Sequence, residues 1–196
     1  MDRQAWGAAD VTTKARIRTA ALHLFAEHGC AATSLRAVAR TAGVAPGLVV
    51  HHFGGKDGLR QAVDDEVIDI LRRTLESIPP SGPAAAVGRA RDTAVAQMYA
   101  ANPVIADYVR RLVVTPGPEE EEFSAKLLQL MVEQTEVLHE RGVARRHTSV
   151  TEHAVTVLMR QLGDHLLQPT LERLWRLAGE DTQAPTVRVR LIPGGD

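Results

Sequence analysis

The stretch from Thr33 to Phe53 reads T-S-L-R-A-V-A-R-T-A-G-V-A-P-G-L-V-V-H-H-F, and its spacing constrains this chain more than any other feature. Leu35, Val38, Ala39 and Ala42 recur at i, i+3, i+4 and i+7, one face of a short helix. Thr33 stands where a side-chain oxygen would cap that helix. Gly43 supplies the left-handed residue that ends it, and Pro46 suits the first turn of a second helix, where a missing N–H costs nothing. Val49 and Phe53, four apart, give the second helix an inner face. Pro46, Gly47, Leu48, Val50, His51 and His52 are left on its outer side. Two helices with glycine in the turn form the arrangement that lays a second helix in a DNA major groove. An αα-hairpin inside any helical domain has the same spacing.

Charge separates the two readings. Residues 1–60 carry eight Lys or Arg against four acids, and the remaining residues carry fifteen against twenty. A basic end on an acidic body points to nucleic acid at that end. Lys14, Arg16 and Arg18 fall near the expected start of the first helix, Thr12 or Thr13. Positive charge there opposes the helix dipole, so phosphates are one candidate partner. That helix has Ile17, Ala20, Ala21, Leu24 and Phe25 as its stripe and Gly29 as its stop, and residues 1–12 read as a loose arm.

The residues also resemble a known family. The segments A-A-L-x-L-F-A-E-H-G at 20–29, T-S-L-R-A-V-A-x-x-A-G-V at 33–44 and G-L-V-x-H-H-F-x-x-K-D-G-L at 47–59 look like the N-terminal domain of the tetracycline-repressor (TetR) family of bacterial transcription regulators. The resemblance covers the first third of the chain. It implies an all-α fold with a helix-turn-helix domain over 1–54 (the motif itself at 33–53), a connecting helix over 55–78, a ligand-binding and dimerisation domain over 79–178, and a tail over 179–196. The count of helices is about nine.

Its further implications concern partners. Proteins of the family are homodimers whose last two helices, here about 149–167 and 169–178, form a four-helix bundle. Two recognition helices then meet successive major grooves of a palindromic double-stranded DNA operator, and a small molecule in the C-terminal domain shifts the connecting helix. Thr33 and Lys56 match phosphate-contact positions, with Ser34 beside them, and Arg36 matches one that reaches a base or the backbone. His51 and His52 match the outer face of the recognition helix, completed by Pro46, Gly47, Leu48 and Val50. Two residues depart from the pattern. Ala45 stands where Ser or Thr is common, and Val50 where Tyr is common, so two phosphate contacts are missing. Reading through thymine methyls, backbone N–H groups and the histidines is then expected. The departures also support a second reading, a ligand-binding or scaffold protein of the same fold without operator binding. A small helical enzyme is a third.

The rest of the chain is helical with clear punctuation. Leu59, Val63, Val67, Ile70, Leu71 and Leu75 form the stripe of a helix over about 55–77. It opens G-G-K-D, free N–H groups beside Lys56 and a ready anion site. P-P-S-G-P at 79–83 breaks the chain. Further helices run from Pro83 to about Ala100, from Pro103 to the T-P-G-P at 115–118, and from Glu119–Glu122 to near Gly142. Ser149 with Glu152 forms a capping box for a helix to about Leu167, and Pro169 restarts a last one to Ala178.

Polar residues interrupt two stripes. Gln134 follows Phe123, Leu127, Leu130 and Met131, and Gln161 and His165 follow Val150, Ala154 and Leu158. Such groups need partners within the fold, from a second subunit or from a ligand. Tyr99, Tyr108, Phe123, Met131, Gln134 and Met159 are the candidate ligand residues. Leu158, Gln161, Leu162, His165, Leu171 and Trp175 are the candidate dimer contacts. Arg110 and Arg111 hint at an anionic ligand or a solvated edge. No cofactor, metal or catalytic residue is expected. The eight histidines lack the i, i+4 pairing of a helical zinc site at His139, His147 and His153, and no nucleophile elbow, H-E-x-x-H or phosphate loop occurs. A single cysteine, Cys30, precludes a disulfide framework. No apolar run is long enough for a membrane span, so the cytoplasm is the expected location.

Overall fold

The computed structural model describes residues 3–114, 117–143, 149–187 and 189, with the backbone alone at 3–11, 118, 119 and 166. Among them are eight helices: α1 (Arg3–His28), α2 (Leu35–Ala42), α3 (Pro46–Phe53), α4 (Lys56–Glu76), α5 (Ala84–Ala101), α6 (Pro103–Val114), α7 (Pro118–Glu140) and α8 (Val150–Leu177). The all-α expectation holds.

Two helices differ from the sequence reading. α1 begins at Arg3 rather than at Thr12, so most of the expected arm is helical. Apart from Gly7 that arm is rich in helix formers, and nothing in it stops a helix. Lys14, Arg16 and Arg18 consequently sit in mid-helix, where the dipole argument does not apply. α8 runs through Pro169 without a restart, which merges two expected helices and lowers the count to eight. The proline removes the one bond its own N–H would make to the His165 carbonyl. Strong helix formers on both sides, from Leu167 to Leu177, carry the helix past it.

The chain forms two compact units, 1–70 with 102–117, and 71–101 with 118–196. This division differs from a break at 79–83: α4 supplies residues to both units, and α6 belongs with α1–α3. In the first unit Ile17, Ala21 and Phe25 of α1, Val38 and Ala39 of α2, Val49 of α3, Leu59, Val63 and Val67 of α4, and Ile105, Val109 and Leu112 of α6 are buried. Within this core lies a polar cluster. Tyr108 Oη donates to Asp64 Oδ1 (2.6 Å) and Arg60 Nη1 donates to Asp64 Oδ2 (2.8 Å). Burial and the neighbouring Asp64 carboxylate push the Tyr108 phenol pKa up, so the phenol is a fixed donor. Arg111 of α6 donates from Nε to the Ala26 carbonyl (3.1 Å) and from Nη2 to that of Glu27 (2.8 Å). A cation there satisfies carbonyls that the end of α1 leaves unpaired.

In the second unit, α4, α5, α7 and α8 enclose Leu71, Leu75, Val95, Leu127, Leu130, Ala154, Leu158 and Leu162. Arg72 of α4 pairs with Glu133 of α7 at 2.6 Å. His139 Nε2 and His153 Nδ1, which sequence spacing does not relate, meet 3.2 Å apart between α7 and α8. His147, also considered in the sequence, lies outside the described residues.

After α8 the chain doubles back along it. The Trp175 indole donates to Thr182 Oγ1 (3.3 Å). The Gln168 amide donates to the Pro185 carbonyl (3.2 Å) and accepts from the Val187 N–H (2.7 Å), and Asp164 Oδ1 accepts from the Val189 N–H (3.1 Å). Val187 and Val189 of the T-V-R-V-R-L alternation at 186–191 are thus strapped to α8 by their N–H groups, and Arg188, Arg190 and Leu191 lie outside the described residues.

Candidate nucleic-acid interface

α2 and α3 are each eight residues long, too short to persist alone in water, so their neighbours hold them. Ser34, not Thr33, caps α2: its Oγ accepts from the Ala37 N–H at 3.1 Å. Thr33 is 4 % exposed and donates its hydroxyl to the Gly29 carbonyl (2.8 Å), with the Leu24 carbonyl at 3.3 Å. That corrects its expected role on a phosphate: the hydroxyl closes the end of α1. Gly43, at φ 65°, ends α2. Arg16 reaches across from α1 to the Ala42 carbonyl (2.5 Å) and the Gly43 carbonyl (3.3 Å) and so secures the turn of the motif.

α3 has no side-chain cap at Ala45, and Gly54, at φ 75°, closes its far end. Val49 is fully buried beneath it. Lys14 of α1 lies 5.6 Å from the centre of the Phe53 ring, a cation–π contact. The third cation of α1, Arg18, pairs with Glu66 of α4 at 3.0 Å. All three cations near residue 16 therefore have partners within the fold, which the sequence reading missed. Their partners are backbone carbonyls, a ring and a carboxylate 48 residues away, none of which leaves a local signal.

The outward side of α3 carries the expected residues. Pro46, Gly47, Leu48, Val50 and His51 are exposed, and Leu48 and Val50 (40 % and 48 %) are among the most exposed large apolar side chains described. His52 is half-buried, edge-on to the rings of His51 (centres 5.3 Å apart) and Phe53 (6.3 Å). Ser34 and Arg36 are exposed at the start of α2. Lys56 donates to the Ala31 carbonyl at 2.8 Å, which leaves an ammonium with further donors at the start of α4. The site is thus an apolar ridge with imidazoles, flanked by a hydroxyl, a guanidinium and an ammonium.

The other expected contacts rearrange. Among the ligand candidates, Tyr99 and Met131 line a narrow cavity of the second unit with Leu71, Leu75, Val95, Leu127 and Leu130. Tyr108 belongs to the first unit, bound to Asp64. Phe123 and Gln134 are buried but form no part of the cavity wall, and Met159 is 37 % exposed. Of the dimer candidates, Leu158, Gln161, Leu162 and His165 face inward and complete the wall. The polar interruptions on α8 have partners from α5. Gln161 Nε2 donates to Asp92 Oδ1 (2.9 Å), a carboxylate that also pairs with Arg160 (2.6 Å), and the Tyr99 and His165 rings meet edge-on with centres 4.6 Å apart. Leu171 and Trp175 are half-buried. Arg110 pairs with Asp107, and Arg111 closes the end of α1.

A helix-turn-helix with its second helix turned outward is the arrangement that lays a helix in a DNA major groove. Residues 17–63 match the family model for bacterial regulatory proteins of the tetR family. A regulatory protein named RaaS from Mycobacterium tuberculosis, of the helix-turn-helix type, is 53 % identical over 64 residues, which are 33 % of this chain and 30 % of that protein. The match thus spans about a third of the relative's length. Two solved structures share the fold. A tetR family transcription regulator from Shewanella sp. PV-4 has a TM-score of 0.68 at 21 % identity over 85 % of this chain and 90 % of the other. The transcriptional regulator FadR from Bacillus subtilis, solved with stearoyl-CoA, has 0.63 at 14 % over 85 % and 89 %. The N-terminal domain is thus similar to that of the tetR family, and the likeness over the whole chain is one of fold.

Proposed function

We propose that this chain is a homodimeric transcriptional regulator of the cytoplasm that binds a palindromic DNA operator through α3 and is released by a small molecule, with repression as the outcome. The observation that carries the reading is the outer face of α3. Leu48, Val50 and His51 project from a helix whose other side is fixed by Val49 and Lys14, with Ser34, Arg36 and Lys56 flanking it. Apolar side chains at that place suit thymine methyls, the flanking donors suit phosphates, and the uncapped N-terminus of α3 offers the Gly47 N–H. Met159, Leu167, Leu174 and Leu177 form an exposed apolar stripe on α8 that supports pairing with a second copy in place of the inward-facing residues. The ligand reading rests on the cavity among α4, α5, α7 and α8.

Binding to duplex DNA followed by fluorescence anisotropy over a salt series tests the reading. Phosphate contacts predict an affinity that falls steeply and linearly on log–log axes, with a shallower slope for Lys56→Ala. The second reading, a ligand-binding or scaffold protein without operator binding, is favoured by Ala45 and Val50, and predicts no binding even at low salt.

A further inference from the structure

A glycine interrupts the exposed apolar stripe of α8. Gly163 stands four residues after Met159 and four before Leu167, so the three share one side of the helix, and Leu174 continues it. Met159, Leu167 and Leu174 are exposed. Glycine in mid-helix loses more backbone freedom on folding than alanine and packs nothing of its own, so its place in the stripe calls for a neighbour that uses the space.

That neighbour is Val189 of the same chain. A Cβ on Gly163 would lie 2.3 Å from Val189 Cγ2 and 3.0 Å from Val189 Cβ, so a methyl and the valine cannot both occupy the notch. Side chains of α8 hold the strap that delivers it. Gln168 and Asp164, one turn apart, accept from the N–H groups of Val187 and Val189 and so set its register. Gln168 also donates to the Pro185 carbonyl, and Trp175 to Thr182. None of these bonds is fully buried, and Val187 and Val189 are only half-buried. A segment held by a few partly solvated contacts opens far more readily than a core does.

Val189 sits where a second copy would pack. Helices approach most closely where the facing side chains are small, so Gly163 is the point of the Met159–Leu167–Leu174 stripe that a partner helix would reach nearest. The notch has room for one occupant.

We propose that the strap is an autoinhibitory cover of the α8 pairing face: with Val189 in the Gly163 notch the chain is held back from association, and a second copy pairs only with a chain whose strap has lifted. The proposal rests on the homodimer reading above and adds a control to it. The apparent affinity of pairing is scaled by the fraction of chains that are open, and both copies must open, so that fraction enters squared. A strap open in about a tenth of the chains weakens pairing about a hundredfold.

Sedimentation equilibrium of the full chain over a dilution series tests it. The wild type is compared with the double variant Val187→Pro, Val189→Pro, which lacks the two N–H donors, and with Val189→Asp, which puts a charge into the apolar notch. These substitutions lie outside every helix and leave the α8 face itself unaltered. Each variant is expected to dimerise at least tenfold more tightly than the wild type. Unchanged affinity in either variant overturns the cover, and so does weaker pairing, which would make the strap part of the paired interface. The two readings fail differently. Dimers of equal strength in all three proteins keep the homodimer and lose the cover. Three proteins that stay monomeric at every concentration remove the homodimer, and the cover with it.

Discussion

Gly58 has no room for a side chain. A Cβ there would lie 2.0 Å from the Phe53 carbonyl oxygen, so backbone meets backbone where α3 passes into α4. Gly58→Ala forces that junction apart at a cost of about 1–3 kcal/mol, and thermal denaturation should show a fall of several degrees. Gly47→Ala, with open space at its Cβ, should leave the melting temperature nearly unchanged. The buried cluster makes a sharper case. Asp64→Asn keeps the shape but removes the negative charge from the buried pair with Arg60, a loss of about 3–5 kcal/mol, whereas Tyr108→Phe removes the hydrogen bond to Asp64 and costs about 1–3 kcal/mol. Urea denaturation of the two variants should rank them in that order. Gly58 was visible in the sequence only as a letter of the K-D-G-L segment, and Asp64 was not legible as important at all. Gly58 looks like a residue of a helical first turn and Asp64 like a solvated acid of α4, because both owe their roles to atoms brought in from other helices.

At the scale of elements, periodicity located the helices well, and it failed where one rule was asked to decide alone. Pro169 was read as a restart because proline removes a helical N–H, but one missing bond does not stop a helix whose flanks are mostly strong formers. The stripe on α8 was read as a dimer face because the family resemblance implies pairing there, but a stripe does not say which neighbour covers it. α5 and α7 of the same chain cover Leu158 and Leu162, and Asp92 answers Gln161. The outer face of α3 was legible because a short run flanked by Gly43 and Gly54 has only two sides, one of them filled by Val49.

The His139–His153 contact makes the packing of α7 on α8 sensitive to pH. Burial, then the neighbouring His139 and Arg160, hold the His153 pKa below the usual 6.5, and burial does the same for His165. Below pH 6.5 these imidazoles bind fewer protons in the fold than in the unfolded chain, so stability falls as the pH drops through that value. The melting temperature should therefore be lower at pH 5.5 than at 7.5, and His153→Gln with His165→Gln should flatten the difference.

The strap along α8 predicts its own signal. With Trp6→Phe leaving Trp175 as the sole tryptophan, truncation after Asp181 frees the indole from Thr182 and should shift its emission to the red. Gln168→Ala should produce part of that shift.

For the molecule as a whole, the charge asymmetry visible in the sequence is not a simple basic patch. Among the described residues Arg16 and Arg18 hold partners within the fold and Lys14 lies over the Phe53 ring, while Arg36 and Arg40 are exposed on α2 and Lys56 opens α4. Such a surface relies on base contacts through Leu48, Val50 and His51 for its selectivity. Replacing His51 and His52 together by Ala is expected to reduce discrimination between operator and random DNA by about tenfold or more, with little change in salt dependence. Competition binding with both DNAs checks this.

Selection of fragments from a random DNA pool by the purified chain, read by sequencing, tests the central claim most directly. The account predicts one enriched palindrome whose half-sites are centred about one helical turn, 34–36 Å, or a multiple of it apart. Recovery of no motif at low salt, where phosphate contacts alone should still retain DNA, would contradict it and favour the second reading, a ligand-binding or scaffold protein without operator binding.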